Sequence, residues 1–215
     1  MSINFPIVFD FDGTMVHSNE LKEKAFFLAV YNGHRSNKII NKILAKGKVL
    51  YWDRYIILKK ISESLDLSYI ELLQSYNELL DSMLPKCQKR EGIDEFLKQS
   101  NGLKIINSAT PTTHLVRNIS KIFPNEKFDL IMGNGSSKKI KNLEFIINKF
   151  SLVSNNLIII GDGQDDYESA IHFGCIFFGF SGGTITTNNI RLYENYFEVM
   201  QDIGAYAGER NDKIP

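Results

Sequence analysis

Cysteine, proline and tryptophan are scarce in this 215-residue chain, at two, five and one residues. Cys87 and Cys175 lie far apart and in no C-x-x-C pattern, which excludes a disulfide framework, argues against a structural zinc site and leads us to expect an intracellular protein with unpaired thiols. Net charge is also lacking. The 25 Lys+Arg balance the 25 Asp+Glu, so no global field gathers nucleic acid or anionic membrane. Long apolar runs are missing too, since none approaches the roughly 18 residues that span a bilayer. The stretch from Phe5 to Phe9 runs straight into Asp10 without a basic leader, unlike a signal peptide. These absences lead us to expect a cytoplasmic protein without nucleic-acid or membrane partners.

What is present is a globular composition, 43% hydrophobic and 23% charged. The length allows one domain, or a core with a smaller insert. Several short apolar runs stop abruptly at polar residues or glycine: Pro6 to Phe9 before Asp10, Leu103 to Ile106 before Asn107-Ser108, Asp129 to Met132 before Gly133, and Leu157 to Ile160 before Gly161-Asp162. They read as buried strands. Helical patterns lie between them, at Thr112 to Phe123, Ser137 to Phe150 and Asp165 to Phe173, with a last strand expected near Ile176 to Phe180. The alternation predicts an α/β fold with a parallel sheet and a ligand crevice at the carboxyl ends of the strands.

From about Glu20 to Leu84 the alternation stops and only helical patterns remain. Helices are expected from Glu20 to Tyr31, from Ser36 to Lys46 with Gly47 as the stop, from Asp53 to Leu65, and from Tyr69 to Leu84. The expected division is a core of residues 1–17 and 86–215 with an all-helical insert at 18–85. The final segment from Gly182 to Pro215 opens on a turn-prone glycine pair and is expected to fray at its end without catalytic content.

Two acidic clusters follow strands. Asp10-Phe11-Asp12-Gly13-Thr14 carries alternate carboxylates, and a tight turn at Gly13 would let both serve one site, one as nucleophile and metal ligand, the other as proton donor and acceptor. Gly161-Asp162-Gly163-Gln164-Asp165-Asp166 could complete an oxygen-ligand set of the kind Mg²⁺ prefers. Alone, each cluster reads as an ordinary turn or helix cap; together at two strand ends they favour a metal site.

These residues resemble the haloacid dehalogenase superfamily, most closely its phosphoglycolate-phosphatase-like hydrolases, with a Rossmann-like core and a helical cap inserted after the first strand. The family's D-x-D-G-T motif is matched by Asp10, Asp12, Gly13 and Thr14, and its G-D-x-x-x-D motif by Gly161, Asp162 and Asp166. Ser108 fits the family's strand-end Ser/Thr. Lys138 and Lys139 both stand where its lysine is expected, and the spacing to Leu143 selects Lys139. The resemblance implies catalysis by Asp10, Asp12, Ser108 and Lys139. It implies Mg²⁺ held by Asp10, Asp12, Asp162 and Asp166, and a phosphoryl group held near Gly13, Thr14, Asn107 and Ala109. His17 departs from the acidic residue these hydrolases often carry in the hinge to the cap.

The activity so implied is Mg²⁺-dependent hydrolysis of a small phosphorylated metabolite, a sugar phosphate or phosphoglycolate-like compound, through an aspartyl-phosphate. A phosphomutase of the same family is the alternative, against which Thr14 tilts because known hexose-phosphate mutases tend to be apolar there. A dehalogenase would have no use for Asp12 as an acid. The other class of reading is a non-catalytic module that binds a phosphate ligand for regulation.

Overall fold

The computed structural model describes residues 2–30, 33–49, 53–133 and 139–211; Tyr31, Ser137, Lys138 and Pro215, named above, lie outside them. Among the described residues, six strands form one parallel sheet: β1 (Ile7–Phe9), β2 (Lys104–Ser108), β3 (Leu130–Gly133), β4 (Ile158–Gly161), β5 (Ile176–Phe180) and β6 (Leu192–Tyr193). Their spatial order is β3-β2-β1-β4-β5-β6. The chain builds outward from β1 on one side, then returns to pair β4 with β1 on the other, Phe9 opposite Ile160. The gap between β1 and β4 is therefore the topological switch point, where open sheets of this kind place their ligands.

The two-residue period of a strand explains the layers. Ile7, Phe9, Ile106, Ile158 and Ile160 point into one core with residues of α5 (Ile93–Gln99), α6 (Thr112–Ile122) and α9 (Tyr196–Asn211). Val8, Ile105 and Ile159 point into the other, with Leu143 and Ile146 of α7 (Lys139–Phe150) and Ala170 of α8 (Gln164–Phe173). Helices on both faces leave the inner strands no wet side, which is why their central residues are apolar and their polar residues stand at the ends.

Beyond the expected glycine turn, the C-terminal segment supplies the edge strand β6 and the helix α9, neither of which was read from the sequence. Tyr196, Val199, Met200 and Ile203 recur at i, i+3, i+4 and i+7 and are all buried, so the helical stripe is present in the sequence and was passed over. The Tyr196 ring lies 4.9 Å from both Phe96 and Phe180.

The chain divides into two compact units, Met1–His17 with Cys87–Pro215, and Ser18–Lys86. The second unit consists of α1 (Asn19–Ala29), α2 (Gly33–Val49), α3 (Arg54–Leu65), α4 (Tyr69–Met83) and a 3₁₀ turn at Leu84–Lys86. Asp53 caps α3 by accepting from the Ile56 amide at 2.9 Å, and Ser68 caps α4 by accepting from the Glu71 amide at 3.4 Å. Phe26 stacks on Tyr76 with ring centroids 4.5 Å apart. Gly47 does not stop α2 as expected: it lies on the buried stripe with Ile40 and Leu44, and the helix continues to Val49. A mid-helix glycine costs only about 1 kcal/mol, which burial of the neighbouring side chains offsets.

Candidate active site

The first loop is built by backbone geometry. After the Asp10 amide donates to Ile160 O at 2.8 Å, the chain leaves the sheet and turns back, with Met15 N donating to Phe11 O and Gly13 N to Val16 O, each at 2.9 Å. Gly13 has φ +76°, the left-handed region that other residues adopt only with strain. The tight turn expected there is present. It buries Asp10, Asp12, Gly13 and Thr14 at the end of β1.

Asp162 leaves β4 beside this loop, and the Thr14 hydroxyl lies 3.4 Å from its Oδ1. Asp166, in the first turn of α8, folds back so that its Oδ2 accepts from the Gly163 amide at 3.2 Å. That fold-back is possible because Gly161 has no side chain: a Cβ there would collide with the Asp166 carboxyl group. Carboxylate oxygens of Asp10, Asp162 and Asp166 lie within 4.8 Å of one another, all three residues buried. Asp12 is not part of this trio. Its Oδ2 instead accepts from the Thr110 hydroxyl at 2.8 Å.

Lys139, the first residue of α7, is 5% exposed and reaches all of this. Its Nζ is 3.2 Å from Asp10 Oδ1, 2.9 Å from Asp166 Oδ1 and 3.7 Å from Asp165 Oδ1. Asn107 of β2 holds the start of α7 in place, its Nδ2 donating to Lys139 O at 3.3 Å while its Oδ1 accepts from Asn142 Nδ2 at 2.9 Å. Ser108 is buried at the tip of β2, its hydroxyl accepting from the Thr110 amide at 3.2 Å. Ala109 follows it and is exposed.

The electrostatics of the cluster are those of too many anions in a dry place. Burial pushes the Asp10 carboxyl well above the usual range; Lys139 opposes that shift, and Asp166, Asp162 and Asp12 reinforce it. Burial likewise raises Asp166 to about 7 against the pull of Lys139. For Lys139 burial favours the neutral amine, but Asp10, Asp166 and Asp165 outweigh it and hold the ammonium well above its ordinary pKa. Three buried carboxylates facing one ammonium leave a negative excess. Oxygen donors alone make it a fit for a hard divalent cation such as Mg²⁺.

Residues 7–180 match the model of one protein family, Haloacid dehalogenase-like hydrolase. The chain belongs to that family. No curated protein matches it. Solved structures share the hydrolase family's fold at low identity. A predicted phosphoglycolate phosphatase from Haemophilus somnus superposes with a TM-score of 0.71 at 15% identity, covering 94% of this chain and 99% of that one. CbbY from Rhodobacter sphaeroides, in complex with phosphate, gives 0.63 at 15%, covering 92% and 96%. YfnB from Bacillus subtilis, bound to magnesium, gives 0.68 at 13%, covering 94% and 99%.

For this hydrolase-family member, sequence reasoning passed over three buried side chains that hold the site together: Thr110 on Asp12, Asn142 on Asn107, and Arg90 beneath the first loop. Thr110 stands two residues past the strand-end Ser108 and could have been found by its position. Asn142 and Arg90 carry no local signal, because a polar residue next to a helix ordinarily reads as solvated. Among the described residues, no helix is long and apolar enough to cross a membrane.

Proposed function

We propose that the protein is a Mg²⁺-dependent phosphatase of small phosphorylated metabolites, sugar phosphates or phosphoglycolate-like compounds, with Asp10 as the nucleophile. The observation that carries this reading is the separation of the carboxylates into two environments. Asp10 shares a buried oxygen cluster with Asp162, Asp166 and Lys139, whereas Asp12 is held apart on Thr110. That separation supports a reading in which one acid works among charge-neutralising partners and the other moves protons.

Asp10, Asp162 and Asp166 would hold the ion, which when bound supplies positive charge to the phosphoryl oxygens. Lys139 supplies more from the side of α7, and the Ser108 hydroxyl with the Thr14 amide would hold the remaining oxygens. An Asp10 oxygen attacks phosphorus, the bond to the leaving oxygen breaks, and Asp12 gives that oxygen its proton. Asp12 then takes a proton from water as the water attacks the aspartyl-phosphate. The bond from phosphorus to Asp10 breaks, inorganic phosphate leaves and both acids return to their starting state.

The test is phosphate release from p-nitrophenyl phosphate and from a panel of sugar phosphates and phosphoglycolate, with and without Mg²⁺, by the wild type and Asp10→Asn. Release that needs the metal and vanishes in the variant is expected. Release that survives in Asp10→Asn would remove the nucleophile from the scheme, and release without metal would remove the ion.

A further inference from the structure

Arg90 precedes α5 and is 5% exposed, an unusual place for a guanidinium. Each of its three side-chain nitrogens donates to a main-chain oxygen. Nη2 donates to Gly13 O, Nε to Thr14 O at 3.2 Å, and Nη1 to Glu194 O at 2.7 Å. Its own amide donates to Met15 O at 2.9 Å, and its guanidinium lies 4.2 Å from the centroid of the Phe180 ring. Three successive carbonyls of the nucleophile loop, at Gly13, Thr14 and Met15, are therefore gripped by one residue. Glu194, just before α9, is tied to the same fork.

The consequence follows from the planarity of the peptide. In a trans peptide the carbonyl and the next amide point in opposite directions, so holding Gly13 O also fixes the Thr14 N–H on the far side of the loop. Fixing Thr14 also holds the residue whose hydroxyl lies beside Asp162. We infer that Arg90 is a positioning residue that sets the Thr14 amide of the nucleophile loop toward the phosphate from behind, with the Glu194 carbonyl as its anchor. Lysine cannot replace it, because one ammonium has no rigid fork with which to span two adjacent carbonyls while keeping a third.

The inference rests on the phosphatase reading, and its test separates the two. Arg90→Lys and Arg90→Met would be compared with the wild type by thermal melting, by steady-state kinetics, and by titration with beryllium fluoride and Mg²⁺, whose stoichiometry counts competent sites. In the variants that fold, kcat per competent site should fall at least about tenfold, the scale on which loss of preorganised donors acts, with KM within roughly threefold and Arg90→Met the worse of the two. A purely structural role would lower the melting temperature or the number of competent sites and leave kcat per site unchanged; that result would overturn the inference. If the wild type hydrolyses no phosphomonoester, the phosphatase reading fails by itself. Beryllium fluoride affinity then decides on Arg90: weaker binding in folded Arg90→Lys supports the positioning role, and equal binding ends it.

Discussion

Asp12 and Thr110 are 98 positions apart in sequence, yet a 2.8 Å hydrogen bond makes one side chain hold the other. Thr110→Val frees Asp12 from that bond and should lower kcat about tenfold with KM nearly unchanged, as measured on whichever phosphomonoester is turned over. Asn118 presents the opposite case: fully buried on α6, it has no hydrogen-bond partner among the described residues at either Nδ2 or Oδ1. Leucine has a similar volume and no polar atoms to leave unpaired. Asn118→Leu is therefore expected to raise stability in urea unfolding by about 1 kcal/mol or more, and a loss of that size would reveal a bridging internal water. Cys175 provides a residue-scale pH effect, because burial pushes its thiol up to about 11. Between roughly pH 8.5 and 11 the unfolded chain would release this proton while the folded one keeps it. The stabilising contribution is thus complete below that window and lost as pH rises through it. The wild type should lose urea resistance between pH 8 and 10.5 more steeply than Cys175→Ala.

At the scale of elements, the ends of β1 and β4 and the first turns of α7 and α8 do the positioning, and glycine permits the closest of these approaches. Gly161→Ala should displace the Asp166 carboxyl group from the trio and abolish most activity, while the sheet, formed by backbone pairing at β4, survives in circular dichroism. Retention of full activity would show that Asp166 can swing aside at no loss. The helix α9 bears on stability: Ile203→Ala removes a buried side chain from the core under the sheet and should destabilise by about 2–5 kcal/mol in denaturant titration. Of the elements, β1, β2, β4 and the amphipathic α6 were legible, because each carries its own periodicity and stop signal. The end of α2 was not, because Gly47 lies on a packed stripe that offsets its poor propensity. The two-residue strand β6 was not either, since so short a run has no period to read.

At the scale of the whole molecule, the negative excess at the switch point predicts linkage between metal and stability. Mg²⁺ at about 100 times its Kd should stabilise the native state by roughly 2.7 kcal/mol, a shift a thermal melt will register, and Asp162→Asn should shrink it. No shift at high millimolar Mg²⁺ would count against the ion.

The sequence by itself determined the α/β alternation, the helical stretch expected between residues 18 and 85, the turn at Gly13, and two acidic motifs specific enough to point to the family. These are local properties: strand period, helix period and glycine's freedom at positive φ act within a few residues. Only the tertiary structure decided that Asp10, Asp162 and Asp166 share one cluster while Asp12 turns to Thr110, that Lys139 touches three carboxylates, and that Arg90 grips the first loop from behind. Asp162 and Asp166 apart, the partners in those contacts are tens to more than a hundred residues from one another. Their meeting depends on the order in which the strands lie across the sheet, and no period or spacing along the chain encodes that order.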